Sequence, residues 1–153
     1  MADVWNMDFK HDLKMWKWAE LEFMDLLSYK KNVKSIERPQ GKFPDYDVKS
    51  TNQNWTEFTW EVKWDWWYPS TKCLWIEYEN KWVPSGILTS KADFYVFKLG
   101  TKFFYCKRAE LLRLLFNTPD KWDKVGGDDW TSRLYIIPEN LFYTIATELK
   151  WED

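Results

Sequence analysis

The sequence predicts an α/β (α+β) fold in which a central mixed β-sheet is flanked by helices. Segments that alternate apolar and polar residues, as strands do, are interspersed with segments whose apolar residues recur at helical spacing. No apolar run approaches the ~18 residues of a membrane span. A chain of 153 residues is long enough to enclose one hydrophobic core. We therefore expect residues 1–153 to form a single domain built around a mixed sheet.

The first predicted element is an amphipathic helix at residues 8–29. Its apolar stripe consists of Phe9, Leu13, Trp16, Met24 and Leu27. At ~100° per residue, Glu20 falls in the middle of this stripe. A carboxylate on the buried side of a helix needs a partner or a functional role, so Glu20 is a candidate site residue.

The predicted strands follow a polar loop at residues 30–42. Two strands, at residues 43–50 and 56–66, are joined through the turn-forming segment TNQN. The remaining predicted elements are a strand at residues 73–79, a helical turn near residues 89–93, a hairpin that turns at Gly100, a helix at residues 108–116, a strand at residues 131–138 and a closing helix at residues 139–149. This order of elements is the basis for expecting a mixed sheet with helices beside it.

Composition excludes several classes of enzyme. His11 is the only histidine, which rules out zinc sites built from several histidines. No GxSxG motif is present, so a Ser-His-Asp hydrolase is not supported. The formal net charge of −2 argues against nucleic-acid binding through overall positive charge. It is compatible with binding in which a divalent cation supplies positive charge locally.

The cysteines and the N-terminal residues bear on location. Cys73 and Cys106 form no CxxC motif, and we expect them to be free thiols in a reducing compartment. The first residues, MADVWNMDFK, lack the pattern of a secretory signal peptide. We therefore expect a cytoplasmic protein.

The predicted hairpin at residues 43–67 carries charged side chains at every second position within each strand. They are Asp45, Asp47, Glu61, Lys63 and Asp65. Alternation along a strand sends such side chains to one face of the sheet. If the hairpin turns around residues 52–55, Glu61 lies opposite Asp45 or Asp47 at about 5 Å. Two carboxylates at that separation repel each other unless a cation lies between them, and Mg²⁺ is commonly held by one or two carboxylates. Lys63 points to the same face, where its charge can stabilise a phosphate undergoing hydrolysis.

These residues carry a resemblance to a known family. Glu20 on a first helix, PDYD at residues 44–47 and EVK at residues 61–63 resemble the PD-(D/E)XK nuclease superfamily, which has the restriction-endonuclease-like fold. Residues 70–97 are similar to the segment after EVK in small phage-encoded members, which include Holliday junction resolvase-like enzymes. The resemblance implies that Asp47 and Glu61 bind the metal, that Lys63 is the catalytic lysine and that Glu20 is an accessory acid.

Some assignments stay open on the sequence. Asp45 directly follows Pro44, but Asp47 precedes the apolar Val48, as the active-site aspartate of the family does, and Asp47 is preferred. Glu77, on the adjacent predicted strand, is a possible accessory residue. Three residues before the predicted helical turn, whose N–H groups would suit a phosphate, are candidates for weak phosphate binding or for a plain turn. They are Ser85, Gly86 and Thr89.

The leading functional hypothesis is a Mg²⁺- or Mn²⁺-dependent deoxyribonuclease of a phage or mobile element, located in the cytoplasm of the host if viral. DNA is the expected partner, a membrane is not, and a homodimer is expected because two-fold dimers are the commonest assembly. Four aromatic residues could supply the dimer interface, namely Trp66, Trp67, Trp122 and Trp130. The alternatives are a non-catalytic protein that stacks nucleic-acid bases on some of its 13 tryptophans, and an oligomeric interaction protein that uses exposed aromatic side chains.

Overall fold

The computed structural model describes residues 17–40, 45–64, 71–118, 122–126 and 131–151, the backbone alone being described for 122–126. The helices are α1 (17–28), α2 (Arg108–Phe116) and α3 (Glu139–Phe142). The strands are β1 (Val33–Glu37), β2 (Val48–Asn52), β3 (Glu57–Trp64), β4 (Cys73–Asn80), β5 (Val83–Pro84), β6 (Phe94–Leu99), β7 (Lys102–Lys107), β8 (Trp122–Gly126), β9 (Ser132–Pro138) and β10 (Thr147–Leu149). A short 3₁₀ turn covers Gly86–Leu88.

The described strands form two sheets. The larger sheet has six strands in the order β1-β2-β3-β6-β7-β10, and the smaller has four in the order β5-β4-β9-β8. In the larger sheet β3 and β6 are parallel and the other neighbours are antiparallel. The predicted mixed α/β architecture is therefore confirmed, although the predicted strand at residues 73–79 belongs to a second sheet instead of the central one.

Apolar side chains cover both faces of the larger sheet. On one face α1 packs against β2, β3, β6 and β7, and the buried residues of this cluster are Phe23, Leu26, Leu27, Val48, Trp60, Val96 and Phe103. On the other face lie the smaller sheet, α2 and α3, and the buried residues there include Leu74, Ile76, Tyr95, Phe97, Leu111, Leu115, Ile137 and Phe142. The larger sheet is therefore the middle layer, as expected for strands that carry apolar residues on both sides.

The prediction of a closing helix at residues 139–149 is correct for the first turn and wrong for the rest. The helix ends at Phe142, and Thr147–Leu149 forms strand β10. β10 pairs antiparallel with β7, so that Glu148 lies opposite Phe104. Without β10 the backbone groups along that side of β7 would form an open sheet edge. Pairing across the sheet therefore overrides the local helical pattern of the sequence.

The predicted loop at residues 30–42 contains strand β1, which the sequence pattern did not indicate. β1 pairs antiparallel with β2, with Glu37 opposite Lys49, and its register shifts between Val33 and Ser35. This irregularity interrupts the period-two alternation by which a strand is recognised. The strand was missed for that reason.

Two further expectations concern location and redox state. Cys73 and Cys106 are both free thiols, as expected. Burial raises the pKa of the Cys106 thiol to about 12, so this side chain behaves as a small apolar residue.

Within the part of the chain that the structure describes, no helix combines the length and the apolar character needed to cross a membrane.

The helical turn that the sequence places near residues 89–93 lies three residues earlier, at Gly86–Leu88. Gly86 has a φ of +55°, and a Cβ atom there would lie 2.2 Å from the carbonyl oxygen of Glu77. We expect Gly86→Ala to lower the free energy of unfolding by about 2–4 kcal/mol, because left-handed strain and a clash with backbone add together. Urea denaturation measures the loss.

Gly100→Ala is the matched control for this substitution. Gly100 also has a positive φ, +66°, but a Cβ atom there would meet nothing within 4 Å. The control should lose only the strain component of about 1–2 kcal/mol. Equal losses in the two variants would show that the close approach of Gly86 to Glu77 does not matter for stability.

Candidate functional site

The β2–β3 hairpin places Asp47 beside Glu61. The strands pair with Val48 opposite Trp60, and the Asp47 backbone N–H donates to the Trp60 carbonyl oxygen at 2.9 Å. Asp47 lies directly before β2, and its side chain interacts with that of Glu61 through its charge and a hydrogen bond. The Asp47 side chain also accepts a hydrogen bond from the Val62 N–H, 2.8 Å from Oδ2. The sequence left Asp45 and Asp47 as alternatives for this position, and Asp47 occupies it.

Alternation along β3 determines which way the charged side chains point. Trp60 is buried in the cluster under α1, and Val62 packs against the same cluster. Glu61 and Lys63 therefore point to the opposite face, toward the smaller sheet. The Lys63 Nζ lies 3.6 Å from Glu61 Oε2 and 6.0 Å from the centre of the Tyr95 ring. Tyr95 comes from β6, where it lies opposite Glu61.

The Glu61 carboxyl group is in an environment that disfavours its charge. Its side chain is only 16% exposed. Burial raises its pKa most, and the charge of Asp47 and a hydrogen bond with the Asp47 side chain raise it further. Lys63 acts in the opposite direction, and the resulting pKa of Glu61 is about 7. Two carboxyl groups in hydrogen-bonding contact either share a proton or require a cation.

The Lys63 ammonium keeps its proton in this environment. Burial disfavours the charged form, but the negative charge of Glu61 opposes that effect, with smaller contributions from Tyr95, Asp47 and Glu77. The pKa of Lys63 is raised as a result. Its side chain is nevertheless 45% exposed, so the ammonium can reach a ligand that approaches from solvent.

Glu20 lies at a cleft next to the hairpin. The cleft has a volume of about 350 Å³ and is lined by Glu20, Arg38, Pro39, Gln40, Tyr46 and Asp47. Glu20 Oε2 lies 2.7 Å from the Arg38 guanidinium. Burial raises the pKa of Glu20, and the Asp47 charge adds to this, whereas Arg38 lowers it. Glu20 and Asp47 therefore share one cleft, and Glu61 contacts Asp47 from the neighbouring strand.

Three other candidate residues are placed differently. Asp45 is exposed and lies 3.9 Å from Lys91 Nζ, and it is not among the charges that shift the pKa of Glu61 or Lys63. Glu77, on β4, accepts hydrogen bonds from Ser85 and Ser132 at 2.9 and 2.7 Å. Its charge still contributes to the raised pKa of Lys63, so Glu77 lies within electrostatic range of the site. Asp65 lies outside the described residues.

The residues considered for phosphate binding have structural roles in the 3₁₀ turn. Ser85 immediately precedes the turn and donates its hydroxyl to Glu77. Gly86 packs closely on the Glu77 backbone. Thr89 ends the turn instead of preceding one, and its N–H donates to the Gly86 carbonyl oxygen. The helix start that suggested phosphate binding at Thr89 is therefore not present.

The site includes two residues that the sequence did not indicate. Arg38 was missed because it follows strand β1, which was read as a loop. Tyr95 was missed because its position beside Glu61 depends on the parallel pairing of β3 with β6, which brings together residues more than thirty positions apart. The only sequence signal for Arg38 was its place near Pro39, at the boundary between a charged segment and the hairpin.

No protein-family model, curated protein or solved structure matches this chain. The resemblance to PD-(D/E)XK nucleases accordingly depends on the residues themselves. Their order along the chain is Glu20, Asp47, Glu61 and Lys63, on one helix and around two neighbouring strands.

The carboxylates suit a hard divalent cation. Asp47 and Glu61 present oxygen atoms in direct contact with each other, and Mg²⁺ is commonly held by one or two carboxylates, with water and substrate phosphates as the other ligands. Among the described residues, no group of three or more His, Cys, Asp or Glu side chains is arranged to hold a metal ion. A cation here would therefore depend on water and substrate to complete its coordination.

Proposed function

We propose that this protein is a Mg²⁺- or Mn²⁺-dependent phosphodiester hydrolase that cleaves DNA. The observation that carries the proposal is the contact between the Asp47 and Glu61 carboxyl groups, with the Lys63 ammonium 3.6 Å from Glu61. The order of these residues and of Glu20 along the chain, similar to that in the PD-(D/E)XK superfamily, supports the same proposal. The resemblance implies an endonuclease of a phage or mobile element, of the kind that includes Holliday junction resolvase-like enzymes.

In the proposed hydrolysis each of these side chains has a separate role. Asp47 and Glu61 would hold the cation, which supplies positive charge and lowers the pKa of water when bound. Lys63 keeps its proton and donates to the phosphate oxygens, where negative charge increases in the transition state. Glu20, half-buried beside Asp47, acts as an accessory carboxylate whose orientation is held by Arg38.

The proposal predicts cleavage that depends on a divalent metal. Purified protein should cleave duplex, branched or single-stranded DNA with Mg²⁺ or Mn²⁺, and EDTA should abolish the reaction because Asp47 and Glu61 then hold no cation. Gel electrophoresis of labelled DNA measures the products. An Asp47→Asn/Glu61→Gln double variant, prepared in parallel, controls for contaminating nucleases. If all three DNA forms stay intact with both metals, the enzyme proposal fails.

The proposal extends to assembly and location. Cleavage of both strands of a duplex requires two equivalent sites, so we propose that the enzyme acts as a homodimer in the cytoplasm. The aromatic residues considered for the interface lie outside the described side chains, namely Trp66, Trp67, Trp122 and Trp130. The dimer proposal therefore depends on the symmetry of the substrate.

Exposed aromatic residues support an alternative in which the protein binds nucleic acid or another protein without cleaving. Trp82 is 86% exposed at the turn between β4 and β5, and the adjacent Val83 is also exposed. Both Lys81 and Trp82 have positive φ, a conformation that is strained for residues with side chains. Tight DNA binding without cleavage in either metal would favour this alternative.

A further inference from the structure

Arg38 is positioned to contact a ligand in the cleft that adjoins Asp47. It follows β1 directly, and the last paired residue of β1, Glu37, lies opposite Lys49 of β2. Arg38 lines the cleft together with Glu20, Gln40 and Tyr46. The Arg38 side chain is 38% exposed, so it is accessible from solvent although it is held in place.

The contact with Glu20 uses only part of the guanidinium. The ion pair joins one nitrogen, Nη2, to one oxygen, Oε2, at 2.7 Å. A guanidinium has five N–H donors in a planar fork, and an arginine paired through one of them retains others for a second acceptor. Such a fork matches the geometry of a phosphate group. Glu20 therefore orients Arg38 without using all of its donors.

The charges around the cleft favour an anion once a divalent cation is present. A cation at Asp47 and Glu61 would balance those two carboxylates, and Arg38 balances Glu20. The Lys63 ammonium, 3.6 Å from Glu61, adds a further positive charge on the neighbouring strand. The cleft volume of about 350 Å³ is at the small end of the ~300–1,000 Å³ typical of ligand sites, which suits one nucleotide unit.

We propose that Arg38 binds the phosphodiester group next to the one that is cleaved, and that the cleft between Glu20 and Tyr46 holds the attached nucleotide of a nucleic-acid strand. The inference rests on the proposed nuclease function for the position of the cleaved bond. The role assigned to Arg38 is in substrate binding, since Arg38 lines the cleft and pairs with Glu20 there, whereas the proposed reacting centre is at Asp47 and Glu61.

The test compares DNA binding by the wild-type protein and by Arg38→Gln. Fluorescence anisotropy of fluorescein-labelled single-stranded and duplex oligonucleotides, in buffer with Ca²⁺ in place of Mg²⁺ so that the carboxylates are balanced by a cation, gives the affinity over a series of salt concentrations, and a denaturing gel checks that the oligonucleotide stays intact. Arg38→Gln should bind about tenfold more weakly, as expected for loss of one charged hydrogen-bonding contact. Its salt dependence, the slope of log K against log salt, should fall by about one.

Arg133→Gln is the matched control. Arg133 is also about 40% exposed and also pairs with a glutamate, Glu79, at 3.9 Å, but it lies on β9 of the smaller sheet. This control should keep both the wild-type affinity and the wild-type salt slope. An equal loss in the two variants would show that Arg38 contributes only to the general charge of the protein and would overturn the inference.

A double variant separates phosphate binding from a purely structural role. Arg38→Gln/Glu20→Gln removes both members of the ion pair and leaves no unpaired buried carboxylate. If Arg38 only neutralises Glu20, the double variant recovers the wild-type salt slope, and the inference is overturned. If Arg38 binds phosphate, the slope stays reduced by about one.

The outcomes distinguish this inference from the proposed function. Wild-type protein that cleaves DNA, with unchanged affinity and slope in Arg38→Gln, overturns the role of Arg38 and leaves the nuclease proposal standing. Wild-type protein that binds but never cleaves, with weakened binding in Arg38→Gln, overturns the nuclease proposal and supports a phosphodiester contact at Arg38. Wild-type protein that neither binds nor cleaves overturns both.

Discussion

Lys63→Ala is expected to lower the rate of DNA cleavage by about 10²–10³-fold, equivalent to ~3–4 kcal/mol of transition-state stabilisation. The Lys63 ammonium lies 3.6 Å from Glu61 and has a raised pKa, so it is a charged donor at the operating pH. Removing it deletes the positive charge beside the phosphate and leaves the two carboxylates in place. Single-turnover cleavage with saturating Mg²⁺ measures the loss.

Metal binding should separate Lys63 from the carboxylates. Lys63→Ala should keep its affinity for Mn²⁺ in calorimetry, because an ammonium is not a metal ligand. Asp47→Asn and Glu61→Gln should each lose both metal binding and cleavage, because each removes a charged oxygen ligand. A Lys63→Ala protein that cleaves at the wild-type rate would show that this face of the sheet is not an active site.

Lys102→Ala is a suitable control for the lysine variant. Lys102 forms a similar contact with a glutamate, 3.7 Å from Glu148, but it lies on β7, two strands from β3 in the sheet. The control should retain cleavage close to the wild-type rate. Comparison of the two variants distinguishes loss of a specific donor from loss of one positive charge on the protein.

The second large effect concerns how stability depends on pH in the metal-free protein. The pKa of Glu61 is about 7 in the folded protein, against an ordinary value of 4.5. Between these two values the folded state binds a proton that the unfolded state has released, so the free energy of unfolding falls as the pH rises from about 4.5 through 7. The shift corresponds to a loss of ~3 kcal/mol by pH 8.

Urea denaturation in EDTA across this pH range measures the effect. Glu61→Gln should remove most of the fall in stability, because glutamine carries no titrating proton. Asp47→Asn should also reduce it, because the two carboxyl groups titrate as a pair. If the free energy of unfolding depends on pH equally in the wild-type protein and in Glu61→Gln, the conclusion that burial raises the pKa of Glu61 is wrong.

Divalent metal should reverse the loss at high pH. A cation that binds the folded state and not the unfolded state stabilises the protein in proportion to the logarithm of its concentration. Mg²⁺ or Mn²⁺ at pH 8 should therefore raise the stability of the wild-type protein and leave Glu61→Gln unchanged. This readout needs no DNA, so it tests metal binding at Asp47 and Glu61 independently of cleavage.

The hairpin shows how much of the site is encoded locally. The alternation of EVK and the turn-forming TNQN predicted the β2–β3 pairing, and the structure has that pairing. Glu20 was predicted from its place on the apolar stripe of a helix, and it lies half-buried in the cleft with Asp47. Both features follow from the direction of side chains, which repeats every two residues in a strand and every 3.6 residues in a helix. These repeats can be recognised from residues that are close together in the sequence.

Local periodicity was enough to predict the mixed α/β class, the charged face of the β2–β3 hairpin and the placement of Glu20. The packing of distant segments was needed to show that Asp47 and not Asp45 contacts Glu61, that Arg38 lines the cleft and that residues 147–149 form a strand. Each of these depends on pairing between distant segments: Asp45 and Asp47 are two residues apart and alternate to the same face, so local alternation cannot choose between them, and the edge of β7 takes its partner from the far end of the chain. Backbone hydrogen bonds across the sheet carry that information, and no short stretch of sequence contains it.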